Sequence, residues 1–163
     1  MAEIVTAPGQ IVEQENYNIF LAGSTEMRSA ENLQQKIIEL LSKYKDINIL
    51  NPRRDIWDNT WEQSAKNKAF SEQVNWELDG IEIADLVVFW FDPNTKSPIS
   101  LLELGVVLGR DETDVIIYCP DDFWRNNVEV FCERVNRTAY LHKDQDSFFQ
   151  RLEHYINEHL SFN

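Results

Sequence analysis

Apolar positions along the chain fall into short continuous blocks separated by longer stretches of helical period. Four blocks, YNIFLAGS (17–24), INIL (47–50), DLVVFWF (85–91) and DVIIYC (114–119), end at Gly, Ser, Asn, Asp or Pro, as buried strands do where they stop at tight turns. DLVVFWF is apolar at every position after Asp85, which suits a central parallel strand covered on both faces. Between the blocks the spacing changes. Residues 29–44 put Leu33, Ile37, Leu40, Leu41 and Tyr44 on one face, further helices are predicted over about 70–83 and over 100–109, and residues 146–160 close the chain with Phe148, Leu152, Tyr155 and Ile156 on one side. Gly109 supplies the stop of the third helix. Strands alternating with helices predict a doubly wound α/β sheet in a single domain over 17–163. The first sixteen residues are a loose arm or add a strand through EIVTAP, and 55–67 is a polar, tryptophan-bearing loop with some helical turn.

In such a sheet the binding crevice lies beyond the carboxyl ends of the strands. The loops there carry GSTE, NPRR and DPNTKSP, so Gly23, Ser24, Arg53, Arg54, Asp92 and Ser97 are expected at one edge, together with the start of the helix that holds Glu103.

Glu103 is the unusual residue of that helix, a single acid among Ile99, Leu101, Leu102, Leu104, Val106 and Val107. Ser100-Leu101-Leu102-Glu103 fits a capping box, in which the glutamate satisfies the free amide of its own helix start. Against this, apolar neighbours surround it, and Gly105, a poor helix former by ~1 kcal/mol against alanine, leaves room for something to approach the backbone. Placed in the first turn, the carboxylate is expected to be ionised and a competent nucleophile. A second acid, Glu77, falls on the preceding helix beside Trp76 and shares a face with Gly80. Two carboxylates at one crevice are the parts for chemistry at a sugar anomeric carbon, one attacking and the other managing the leaving group's proton.

Charge narrows the choice of substrate. Fifteen basic against 28 acidic residues give a formal charge of −13, which repels a polyphosphate backbone, so nucleic-acid polymers are not expected partners. A single nucleotide needs only a local set of donors. The arginine pair Arg53–Arg54 can grip a phosphate or pair with Asp55 and Asp58; Gly23 and Ser24 can add donors or merely end a strand. Trp57 and Trp61, in the polar loop, offer an aromatic wall for a base. Cys119 and Cys132 lack metal-site spacing, the three histidines read as surface residues, and no GxGxxG or GK[ST] occurs, so neither a metal nor a cofactor is implied. No apolar run approaches the ~20 residues that span a bilayer, and MAEIVTAPGQ has no basic n-region or apolar h-region, which predicts the cytoplasm.

IFLAGS, NPRRDIWDNTW, FSEQVNWELDGIEIADLVVFWFDP and SPISLLELG, in that order over residues 17–135, resemble the nucleoside 2-deoxyribosyltransferase superfamily. The resemblance implies a flavodoxin-like (Rossmann-like) subunit, a mainly parallel five-stranded sheet with helices on both faces, assembled as a homodimer or larger homo-oligomer. It implies that Glu103 attacks C1′ of a (2′-deoxy)nucleoside or its monophosphate and that Glu77 contacts or protonates the base. Phe20 stands where the transferases usually have a tyrosine, and Ser97 where they commonly have a base-contacting aspartate. A serine there is similar to the deoxynucleoside 5′-phosphate N-hydrolases, in which it contacts phosphate. Asn127, in DDFWRNNVEV, is the candidate lent to a neighbouring subunit, unless it caps a helix. A non-catalytic nucleotide-binding module and an NAD-cleaving glycohydrolase stand as alternatives.

Overall fold

The computed structural model of the protein describes residues 1–11, 15–24, 28–53, 60 and 62–160, the side chains of 28–32 excepted. In chain order the elements are β1 (Glu3–Thr6), β2 (Tyr17–Gly23), α1 (Arg28–Leu41), β3 (Ile47–Asn51), α2 (Lys68–Ile83), β4 (Leu86–Trp90), α3 (Pro98–Leu108), β5 (Asp114–Tyr118), α4 (Arg125–Arg134), β6 (Leu141–His142) and α5 (Gln145–Leu160). All strand pairs are parallel. The sheet order β1-β3-β2-β4-β5-β6 is the flavodoxin-like order with one strand added outside β3.

Sheet alternation divides the core in two. Phe20, Ala22, Leu50, Val87, Phe89, Val115 and Ile117 face one layer, with Trp76 of α2, Leu104 and Val107 of α3, and Val128 and Cys132 of α4. Ile19, Leu21, Ile47, Ile49, Leu86, Val88, Trp90 and Ile116 face the other, with Ile37 and Leu41 of α1 and Phe148, Leu152 and Ile156 of α5. Successive side chains of one strand point to opposite faces, so strands apolar throughout need helices on both.

The sheet has six strands where five are expected. Glu3–Thr6 pairs with β3, and the two-residue β6 pairs with Ile117 and Tyr118 of β5. Neither is a long apolar block, because an edge strand is held by ladder hydrogen bonds on one side and need not be apolar on both faces. The segment after β1 is held to the sheet and to α2: Ala7 N–H donates to Asn51 O at 3.0 Å and Trp76 Nε1 of α2 donates to Gly9 O at 2.7 Å. His142 corrects the surface reading of the histidines. It sits in β6, half-buried, and burial lowers its pKa. No helix among the described residues is long and apolar enough to cross a membrane.

Candidate active site

The strand order reverses between β3 and β4 on either side of β2, so the crevice opens where β2 and β4 end. Three hydroxyls from the two loops meet there. Ser24 Oγ lies 2.5 Å from Ser97 Oγ, Thr95 Oγ1 lies 2.7 Å from Ser97 Oγ, and Thr95 Oγ1 donates to Ser24 Oγ (3.0 Å) or to Asp92 O (2.8 Å). Asp92 N–H donates to Ser24 Oγ at 3.0 Å. All three side chains are buried, so each hydroxyl must find its partner inside the protein. The cluster fastens the β4 loop to the end of β2. Sequence reading singles out Ser24, Asp92 and Ser97 but passes over Thr95, whose one visible signal is a hydroxyl in the middle of DPNTKSP.

Ser97 has left-handed backbone angles, φ 43° and ψ 49°, although it precedes Pro98. Both features are unfavourable for a residue with a Cβ, and the hydroxyl contacts hold it there. Pro98 then takes the first position of α3, where its missing N–H costs nothing. The helix therefore starts three residues before the supposed capping box. Ser100 Oγ donates to Gly23 O at 3.0 Å, tying α3 to β2, and it does not cap Glu103.

This shift of register moves Glu103 into the second turn, beyond the free amides of the helix start. Burial pushes its carboxyl up, and the charge of Glu77 pushes it further, to about 8. The expected ionised carboxylate is thus corrected: at neutral pH Glu103 holds its proton, because desolvation acts where the helix terminus no longer does. Glu77, half-buried on α2, accepts a hydrogen bond from Gln73 Nε2 at 2.7 Å. Gln73 is a further residue that sequence reading missed; its signal is the i, i+4 spacing to Glu77.

The glycines differ in purpose. A Cβ on Gly23 would stand 2.0 Å from the Trp90 indole, which folds over its strand neighbour. On Gly80 it would stand 2.8 Å from the ring of Phe20. Phe20 itself has no exposed surface and packs under Trp76 and Gly80. Gly105 has nothing within 4 Å of where a Cβ would be.

Arg53 follows β3 in a loop whose start is held by Asn51 Oδ1, which accepts from Arg53 N–H at 3.1 Å and from Gln34 Nε2 at 2.8 Å. Arg54, Trp57 and Trp61 lie outside the described residues. Asn127 is the third residue of α4 and is exposed; Trp124 occupies the cap position, so Asn127 is not a helix cap. The helix α4 itself went unpredicted, since RNNVEVFCER has few apolar positions and buries only Val128 and Cys132.

Among the described residues, clefts lie at both ends of the sheet. The larger, about 590 Å³, is at the amino ends of β4 and β5, lined by Glu82, Asp85, Arg110, Asp111 and Glu112, and includes neither Glu77 nor Glu103. A smaller one, about 180 Å³, lies at the carboxyl ends on the α1 and α5 side, lined by Trp90, Asp92, Asn94, Tyr118 and Gln145. We place the site by its chemistry and by the sheet's switch point, both of which lie away from the larger cleft. Among the described residues no group of three or more His, Cys, Asp or Glu side chains gathers as a metal site requires.

Fold and site together define a flavodoxin-like α/β protein with two interacting carboxyl groups on helices that begin at the carboxyl edge of the sheet. The family described as nucleoside 2-deoxyribosyltransferase like matches residues 16–123, and the chain belongs to that family. Among solved structures, the crystal structure of a conserved protein from Enterococcus faecalis V583 superposes with a TM-score of 0.50 at 19% identity, covering 78% of this chain and 82% of that one; the likeness is one of fold. No curated protein matches the chain.

Proposed function

We propose that the protein breaks the N-glycosidic bond of a 2′-deoxynucleoside or its 5′-monophosphate through a glycosyl ester on Glu103. The sugar then passes to water or to a second base. What carries this reading is the pairing of a desolvated Glu103 with Glu77, in a family named for deoxyribosyl transfer.

The resting proton on Glu103 suits the reaction. As C1′–N breaks, a Glu103 oxygen bonds to C1′ and the proton leaves for the departing base, through Glu77 or directly. Acid plus nucleoside becomes glycosyl ester plus neutral base, with no net change of charge in a site where charge is costly. Attack by water on the ester restores the acid and releases the sugar; attack by a second base completes a transfer. Arg53 and Arg54 are the side chains suited to a 5′-phosphate. Ser24 and Ser97 bond to each other and to Thr95, and so shape the loop that receives the substrate.

The chain acts as a homo-oligomer. Val74 and Leu78 of α2, Ile99, Leu102 and Val106 of α3, and Val130 and Phe131 of α4 are exposed on one helical layer, Leu102 by 67% and Phe131 by 63%. An apolar surface of this kind on a soluble subunit marks an interface, and Asn127 of α4 lies beside it for donation to a neighbour. The buried free thiols of Cys119 and Cys132 suit a reducing compartment, the cytoplasm.

The test is incubation with deoxynucleosides, their monophosphates and NAD, with and without a second free base, following base release and exchange by chromatography. Turnover by the wild type that is lost in Glu103→Ala, and a sugar adduct on Glu103 after trapping with a 2-fluoro-2-deoxy analogue, are the expected results. Undiminished turnover in Glu103→Ala overturns the mechanism. Binding of these compounds without turnover by the wild type would favour a nucleotide-binding module.

A further inference from the structure

We infer that Gln73 is a positioning residue, whose side-chain amide fixes Glu77 against the loop after β3 and so biases the negative charge of the Glu77–Glu103 pair toward Glu77. The inference rests on the reading of that pair as the reacting carboxyls.

The Gln73 side chain is buried, at 3% exposure. Its Nε2 donates to Pro52 O at 2.8 Å and to Glu77 Oε1 at 2.7 Å. An amide nitrogen has two protons, and these two acceptors take both. The orientation is forced, since the turned amide would set its oxygen against two acceptors. A donor held on Glu77 favours the ionised form of that carboxylate, while Glu103 has no hydrogen-bond donor among the described residues. The pair is therefore asymmetric: Glu77 holds the Gln73 amide donor, and the charge of Glu77 in turn raises the Glu103 carboxyl. Desolvation first and the Glu77 charge second act on Glu103, and no other charged group among the described residues contributes a resolved effect. The other end of the amide is the carbonyl just before Arg53, so the loop read as the phosphate-binding segment and the charge of the pair share one side chain.

The test uses the full chain with ¹³C-labelled glutamate and ¹⁵N-labelled glutamine, titrated by NMR in wild type, Gln73→Met, Glu77→Gln and the double variant. In Gln73→Met, of similar shape but without a donor, the Glu77 carboxyl should titrate higher by about one pH unit, the scale of a lost charge-assisted hydrogen bond. The Glu103 curve should broaden into two steps. In Glu77→Gln the Glu103 midpoint should fall from about 8, and adding Gln73→Met should change it no further. A folded Gln73→Met with wild-type titration of both acids overturns the inference. Should Gln73→Met fail to fold, the wild type decides: the Gln73 side-chain amide protons must exchange slowly and shift in step with the Glu77 titration, and free exchange without such a shift overturns it. Base release by the same proteins separates the two readings. A linked titration in a protein without turnover removes the glycosidic reaction and keeps Gln73's role, whereas turnover with an unlinked titration does the reverse.

Discussion

Glu77 on α2 and Glu103 on α3 bear on one another electrically: burial raises the Glu103 carboxyl, and the charge of Glu77 raises it further, to about 8. Under the proposed mechanism, catalysis needs the Glu103 proton to be delivered and its oxygen freed in the same step. The kcat/KM profile of the free enzyme should therefore fall on an alkaline limb near pH 8, where Glu103 loses the proton destined for the base. Glu77→Gln should move that limb to lower pH. A profile flat from pH 6 to 9 in wild type would remove the proton from the mechanism.

The same residue sets a stability trend. A native carboxyl at about 8 against the ordinary 4.5 means that the folded chain keeps a proton the unfolded chain has released between those values. Stability is thus intact below pH 4.5 and declines as pH rises through 8. Glu103→Gln, uncharged throughout, should be more stable than wild type at pH 9 by an amount on the order of a few kcal/mol. At pH 4 the two should unfold at closely similar urea concentrations.

Gly80 and Gly105 should respond to alanine in opposite ways. At Gly80 the new methyl meets the Phe20 ring at 2.8 Å, and overpacking of this kind costs ~1–3 kcal/mol. At Gly105 the methyl meets nothing within 4 Å, and alanine gains up to ~1 kcal/mol of helix propensity. Gly105→Ala should raise the melting temperature of the isolated subunit. If substrate or a second subunit approaches that backbone, kcat/KM should also drop by about tenfold, equivalent to ~1.4 kcal/mol at the transition state.

Removing Ser24 Oγ takes away the acceptor of the part-buried Asp92 N–H bond and one partner each from Thr95 and Ser97. Ser24→Ala should cost ~1–3 kcal/mol by urea unfolding. Ser97→Gly, which relieves the positive φ while deleting a hydroxyl, should cost less than Ser97→Ala. Equal losses in the two Ser97 variants would show that the left-handed backbone carries no strain.

The sequence by itself determined the four central strands, since blocks such as IFLA and LVVFW are apolar at successive positions and fit only a strand covered on both faces. It also determined α1, α2, α3 and α5, the carboxyl edge as the place of the loops, and Glu77 and Glu103 as the acids that break the local pattern. Tertiary structure decided the rest. The edge strand β6 and the mostly polar α4 have too little apolar period to be read locally, and EIVTAP is open between arm and strand until the ladder to β3 settles it as β1; all three exist because neighbours supply the ladder bonds and the core. Most of all it decided the protonation of Glu103. The letters S-x-x-E suggested a helix start and an ionised acid, but Pro98 and the hydroxyls around Ser97 begin the helix earlier, and burial beside Glu77 outweighs any helix-terminal stabilisation. A side chain's charge depends on what surrounds it in space, and for Glu103 those surroundings are first the burial that the packed helices impose and second an acid from another helix, Glu77.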